Sequence, residues 1–129
     1  MNLFKLVMTV LLLFSGSGNL APIPTQGQVS SEVVDNVSWA DTVAQCFSDK
    51  KVKFYGAFWC PHCADQKKIF GESMKYVDYV ECDPRGENAR TEECAAENIE
   101  SFPTWIFANG ERLIGVRTLD ELAKTASCN

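Results

Sequence analysis

An α/β domain, a mixed β-sheet flanked by helices, is what this sequence predicts, and three features carry the expectation. Helix-like and strand-like patterns alternate from Trp39 onward. The β-rich apolar run Val52 to Trp59 leaves no room for a helix before the cysteines that follow it. Two late strand-like runs flank Asn109-Gly110, a dipeptide favoured in tight hairpin turns. A chain of 129 residues, 46% of them hydrophobic, can bury one real core, so one compact domain is expected.

The elements follow in order. Lys5, the apolar run Leu6 to Phe14 broken only by Thr9, and the small residues Ser15 to Gly18 read as a secretory signal over residues 1–21. An uncleaved anchor is the weaker alternative, because a membrane span needs about 20 mostly apolar residues. Residues 22–37, with Pro22, Pro24 and Gly27, read as a flexible lead-in, and 38–129 as the domain. Trp39, Val43, Ala44 and Phe47 are at helical spacing, predicting a helix over Trp39 to Asp49; a buried strand then runs to Trp59. Pro61 suits the first turn of a helix through Ile69, Phe70 and Met74, and Tyr76 to Cys82 reads as a strand. Asp83-Pro84-Arg85-Gly86 breaks the chain, and Thr91 to Ala96 restarts it as a short helix with acids in its first turn. Strands Thr104 to Ala108 and Arg112 to Val116 come next, then a helix Leu119 to Ala126 capped by Thr118.

A formal charge of −5, with Lys and Arg scattered, gives no basic stripe for a phosphate backbone, so nucleic acid is not an expected partner. Export implies an oxidising compartment, where Cys46, Cys60, Cys63, Cys82, Cys94 and Cys128 could form three bridges.

Cys60 and Cys63 stand apart because they fall where a central strand ends and a helix begins. Unpaired amides and the positive end of the helix dipole stabilise a thiolate there, which makes Cys60 the expected nucleophile. Cys63, one turn along, can close a disulfide with it and resolve a mixed disulfide with a substrate. A zinc site wants four ligands, and this chain has one CxxC and one histidine; haem attachment needs His after the second Cys, where Ala64 stands. No metal or cofactor is expected. A merely structural disulfide would have no need of a Trp-flanked turn after a buried strand.

Phe58-Trp59-Cys60-Pro61-His62-Cys63, followed by Phe102-Pro103-Thr104, resembles the thioredoxin superfamily, with the Pro-His dipeptide of its DsbA-type oxidants. Three strings, Tyr55 to Cys63, Tyr79-Val80-Glu81-Cys82-Asp83-Pro84 and Glu93-Cys94, make it similar to the thioredoxin-like domain fused to, or working beside, bacterial and plastid homologues of vitamin K epoxide reductase. The resemblance implies a thioredoxin fold from Trp39 to the C-terminus. It implies a thiol–disulfide oxidoreductase that introduces disulfides into exported client proteins, in periplasm or thylakoid lumen. It also implies that a separate quinone-linked membrane homologue of vitamin K epoxide reductase reoxidises the protein.

On that reading His62 donates to or charge-stabilises the Cys60 thiolate, and Pro103 takes the family's cis-proline position beside the cysteines. Trp59, Pro61, Phe102 and Thr104 form the expected substrate surface. One departure concerns the buried acid that thioredoxins carry six residues before the first cysteine: Phe54 occupies that place, and the nearest carboxylate in sequence is Asp65. Its lack would hamper deprotonation of Cys63 and leans toward an oxidant. Cys82 and Cys94 flank the Asp83 to Gly86 turn and are expected to form a structural disulfide, with a second redox pair as the alternative. Elimination leaves Cys46 and Cys128 as a further possible pair, with two free thiols as the alternative. Two other readings stay open: a reductive or isomerising redoxin, and a non-catalytic binding module on the same scaffold.

Overall fold

The computed structural model of the protein describes residues 37–129, so the expected signal segment and all but the last residue of the lead-in lie outside the described residues. The elements are α1 (Trp39–Asp49), β1 (Lys53–Gly56), α2 (Pro61–Phe70), a 3-10 helix (Gly71–Tyr76), β2 (Asp78–Glu81), α3 (Thr91–Ala96), β3 (Thr104–Ile106), β4 (Arg112–Ile114) and α4 (Leu119–Ala126).

The strands form one sheet in the order β2-β1-β3-β4. The crossover through α2 returns the chain parallel to β1, with Gly56 opposite Glu81, whereas β3 runs antiparallel to β1 and β4 antiparallel to β3. Because side chains alternate along a strand, β1 feeds two clusters. Phe54 stacks on Trp105 with ring centroids 4.6 Å apart, in a cluster with Phe47 of α1, Phe70 of α2 and Leu122 of α4. Tyr55 points the other way, to Val80 and to Cys94 of α3. Three helices thus cover one face and α3 the other, which is the thioredoxin-like α/β arrangement.

Local chemistry sets the ends. The Ser38 hydroxyl accepts from the Asp41 amide at 3.1 Å to start α1. Thr118 and Glu121 form a reciprocal capping box at α4. Gly71, with φ of 55°, stops α2 before Met74, and the 3-10 helix takes over the residues expected to continue it.

The strands are shorter than their apolar runs suggest. β1 ends at Gly56, and the chain turns as the Cys60 amide donates to the Ala57 carbonyl at 3.0 Å, which leaves Phe58 and Trp59 each 54% exposed. β2 starts at Asp78 because Val77 still donates to the Met74 carbonyl of the 3-10 helix, and it stops before Cys82. β3 stops at Ile106, where Phe107 and Gly110 enter the hairpin turn. β4 stops at Ile114, before Gly115 with φ of 91°.

Two disulfides tie the fold. Cys46 at the end of α1 is bonded to Cys128 after α4, with Cα atoms 5.9 Å apart, and Cys82 after β2 is bonded to Cys94 of α3, with Cα atoms 5.7 Å apart.

Candidate active site

Cys60 and Cys63 are free thiols at the start of α2, and both are buried. Cys60 is the N-cap: its Sγ accepts from the Cys63 backbone amide at 3.4 Å, and Pro61 follows at the first helical position, where no amide hydrogen is needed. The Cys60 thiol lies 3.9 Å from the Phe102 carbonyl, as donor, and the Phe102–Pro103 peptide bond is cis. The strand–turn–helix at Cys60 and the loop before β3 therefore meet at this sulfur.

The two thiols have unlike surroundings. Burial, then the hydrogen bond with Cys60, push Cys63 up to about 12, against a smaller downward pull from the Ala57 backbone. Pro61 and His62 are both exposed on the outer side of the first turn. Among the described residues His62 makes no hydrogen bond to Cys60 Sγ.

An aromatic shelf borders the pair. Trp59 packs edge-on to Phe102 with centroids 6.1 Å apart, and its indole N–H donates to Asp83 Oδ2 at 2.7 Å. Asp83 is in turn held by Arg85 (2.7 Å), whose guanidinium sits 5.7 Å from the centre of the Phe58 ring. The hydrogen bond from the Arg85 side chain, then those from its backbone and from Trp59, hold the Asp83 carboxyl well below the usual carboxylate range. Thr104, expected on the substrate surface, is buried, and its hydroxyl donates to the Ser101 carbonyl at 2.7 Å. Pro103 is buried too, its carbonyl accepting from Gly115 at 2.9 Å.

Behind the pair lies a carboxylate that the sequence reading missed. Asp65, nearest in sequence, is exposed and pairs with Lys68, but Glu81 of β2 is 3% exposed and accepts from the Tyr79 hydroxyl at 2.9 Å. Only the parallel register could have pointed to it, since Glu81 stands opposite Gly56, the last residue of β1. Asp83 is equally hidden as a partner of Trp59, because in the sequence it belongs to the Asp83-Pro84-Arg85-Gly86 chain break. Among the described residues no group of three or more His, Cys, Asp or Glu is placed to hold a metal ion, and no helix is long and apolar enough to cross a membrane.

No protein-family model matches the chain. Over 92% of its length it aligns at 37% identity with an Arabidopsis thaliana protein named thiol-disulfide oxidoreductase LTO1, of which it spans 34%. The chain thus covers about a third of that relative, and the similarity takes in the stretch that carries the cysteine pair.

Proposed function

We propose that this protein is a thiol–disulfide oxidoreductase working through Cys60 and Cys63. The observation that carries the reading is Cys60 at the N-cap of α2, its sulfur on the Cys63 amide and next to the cis Phe102–Pro103 peptide, while Cys63 lies one turn behind and slightly deeper, 1% exposed against 5%. In this arrangement Cys60 meets the client sulfur first and Cys63 resolves. The name of the Arabidopsis relative supports the same chemistry.

For direction, our reading is an oxidant of exported proteins. Pro61-His62 between the cysteines is the dipeptide of the DsbA-type oxidants that the motif resembles, and the Cys63 amide on Cys60 Sγ at the helix start supports the reduced pair; a stabilised reduced form makes an oxidising disulfide. Phe54 no longer bears on direction, because Glu81 supplies a buried acid from β2. A client thiolate attacks Cys60 of the disulfide, Cys63 leaves with the electron pair, and a second client thiolate releases Cys60 with both electrons now on the protein. Those electrons pass to a quinone-linked membrane homologue of vitamin K epoxide reductase docking on the exposed Phe58–Trp59 shelf. The N-terminal segment directs the protein to periplasm or thylakoid lumen.

The test is turnover with a reduced client peptide containing two cysteines. Oxidation of the peptide by the Cys60–Cys63 disulfide, lost in Cys60→Ala, supports the proposal. A protein that neither oxidises the peptide nor reduces insulin would be a binding module instead.

A further inference from the structure

The buried side of the cysteine pair carries polar groups that the exchange chemistry leaves without a role. Tyr79 and Glu81, two residues apart on β2, share one face of the strand. The Tyr79 hydroxyl donates to Glu81 Oε2 at 2.9 Å, and Glu81 Oε1 accepts from the Asp83 amide at 2.8 Å. Gly86 leaves room for that carboxylate, since a Cβ there would collide with the Glu81 side chain. On the other side a Cβ on Gly56 would lie 2.9 Å from Cys63 Sγ and 3.3 Å from Tyr79 Oη. The resolving thiol and the phenol therefore border the same small gap, which glycine keeps open.

Resting on the oxidoreductase reading above, we propose that Glu81, acting through the Tyr79 hydroxyl, takes up and returns the proton of Cys63. The charged and titratable groups facing this gap are Cys60 and Lys67 from α2 and Tyr79 and Glu81 from β2. Lys67 Nζ stands 3.6 Å from the centre of the Tyr79 ring. β1 contributes Phe54 and Gly56 on this side, its Lys53 and Tyr55 turning to Glu93 across the sheet. Burial, then the bond to Glu81, hold the Tyr79 proton firmly, so the phenol passes a proton on rather than losing one. When Cys63 attacks a mixed disulfide at Cys60, its thiol proton moves to the Tyr79 oxygen and the phenol proton moves to Glu81. The Cys60–Cys63 bond forms as the bond from Cys60 to the client breaks, and the client thiolate leaves with the electron pair. In the opposite direction Glu81 returns the proton as Cys63 becomes the leaving group.

The test uses the full-length reduced protein with its other two disulfides intact, mixed in stopped flow with a chromogenic aromatic disulfide. Attack by Cys60 releases one aromatic thiolate, and resolution by Cys63 then releases the other. Glu81→Gln keeps an oxygen for the Asp83 amide and Tyr79→Phe keeps the ring, so either folded variant decides the matter if the other misfolds. Each should leave the first phase unchanged and slow the second by about 100-fold near neutral pH, the lower end of what proton transfer contributes. The deficit should shrink as rising pH lets hydroxide remove the proton directly. A second phase with the unaltered pH profile in either folded variant, or one slowed equally at every pH, overturns the relay while leaving the oxidoreductase intact. Absence of both phases in the unaltered protein overturns the oxidoreductase reading and the relay with it.

Discussion

Cys60 and Cys63 differ in what surrounds each sulfur, and that difference assigns the roles proposed for them. Both sulfurs are buried, but Cys60 accepts a helix-start amide and adjoins the exposed Trp59, while Cys63 is pushed up to about 12. Cys60→Ala should abolish exchange, and Cys63→Ala should keep attack but accumulate mixed disulfides with clients, detected as covalent adducts on non-reducing gels. The reverse pattern would exchange the roles. A second residue-scale prediction concerns Asp83. A carboxyl held lower in the folded than in the unfolded chain contributes stability above its unfolded value, about pH 4, and loses it as pH falls through the native one. The Trp59–Asp83 bond should therefore persist on acidification past that value. Following the Trp59 indole N–H by NMR checks this, and loss of the contact already near pH 4 to 5 would contradict it. The motif Cys60 to Cys63 was legible because its chemistry is local, whereas Glu81 and Asp83 reach the site through strand register and a turn more than 20 residues away from Trp59 and Gly56 in the chain.

At the scale of elements, hydrophobic period and turn chemistry placed the helices and the hairpin but overran the strand ends. Phe58 and Trp59 continue an apolar run, yet they are surface residues; composition does not distinguish a buried strand from an exposed aromatic shelf. Gly71 ends α2 through a backbone angle that nothing in the periodicity announces. The cap at Thr118 was readable, its reciprocal partner Glu121 was not, and Thr118→Ala should cost about 1 kcal/mol in denaturant unfolding, a change near zero arguing against the cap. At Gly56 two effects oppose. Removing a strand glycine gains roughly 0.5–1 kcal/mol, but the new methyl would sit 2.9 Å from both Cys63 Sγ and Tyr79 Cε2. Overpacking wins, and Gly56→Ala should destabilise by about 1–3 kcal/mol and disturb Cys63 before Cys60.

For the whole molecule, the bond between Cys46 and Cys128 spans 82 residues and closes nearly the entire domain on itself. In the chain-entropy treatment such a loop is worth about 4–5 kcal/mol, against roughly 3 for the short loop closed by Cys82 and Cys94. Replacing Cys46 and Cys128 together by Ser should lower the unfolding free energy more than replacing Cys82 and Cys94, provided native packing adapts equally to both. Equal losses would point to structure persisting in the unfolded chain.

The direction of electron flow joins these scales, since the proposed oxidant role rests on one helix start and one pair of sulfurs within the whole fold. Equilibration with glutathione buffers, read by alkylation and mass mapping of Cys60 and Cys63, measures it directly. An oxidant should show a midpoint well above the value of about −270 mV that characterises thioredoxin, whereas a midpoint at or below that value would contradict the account.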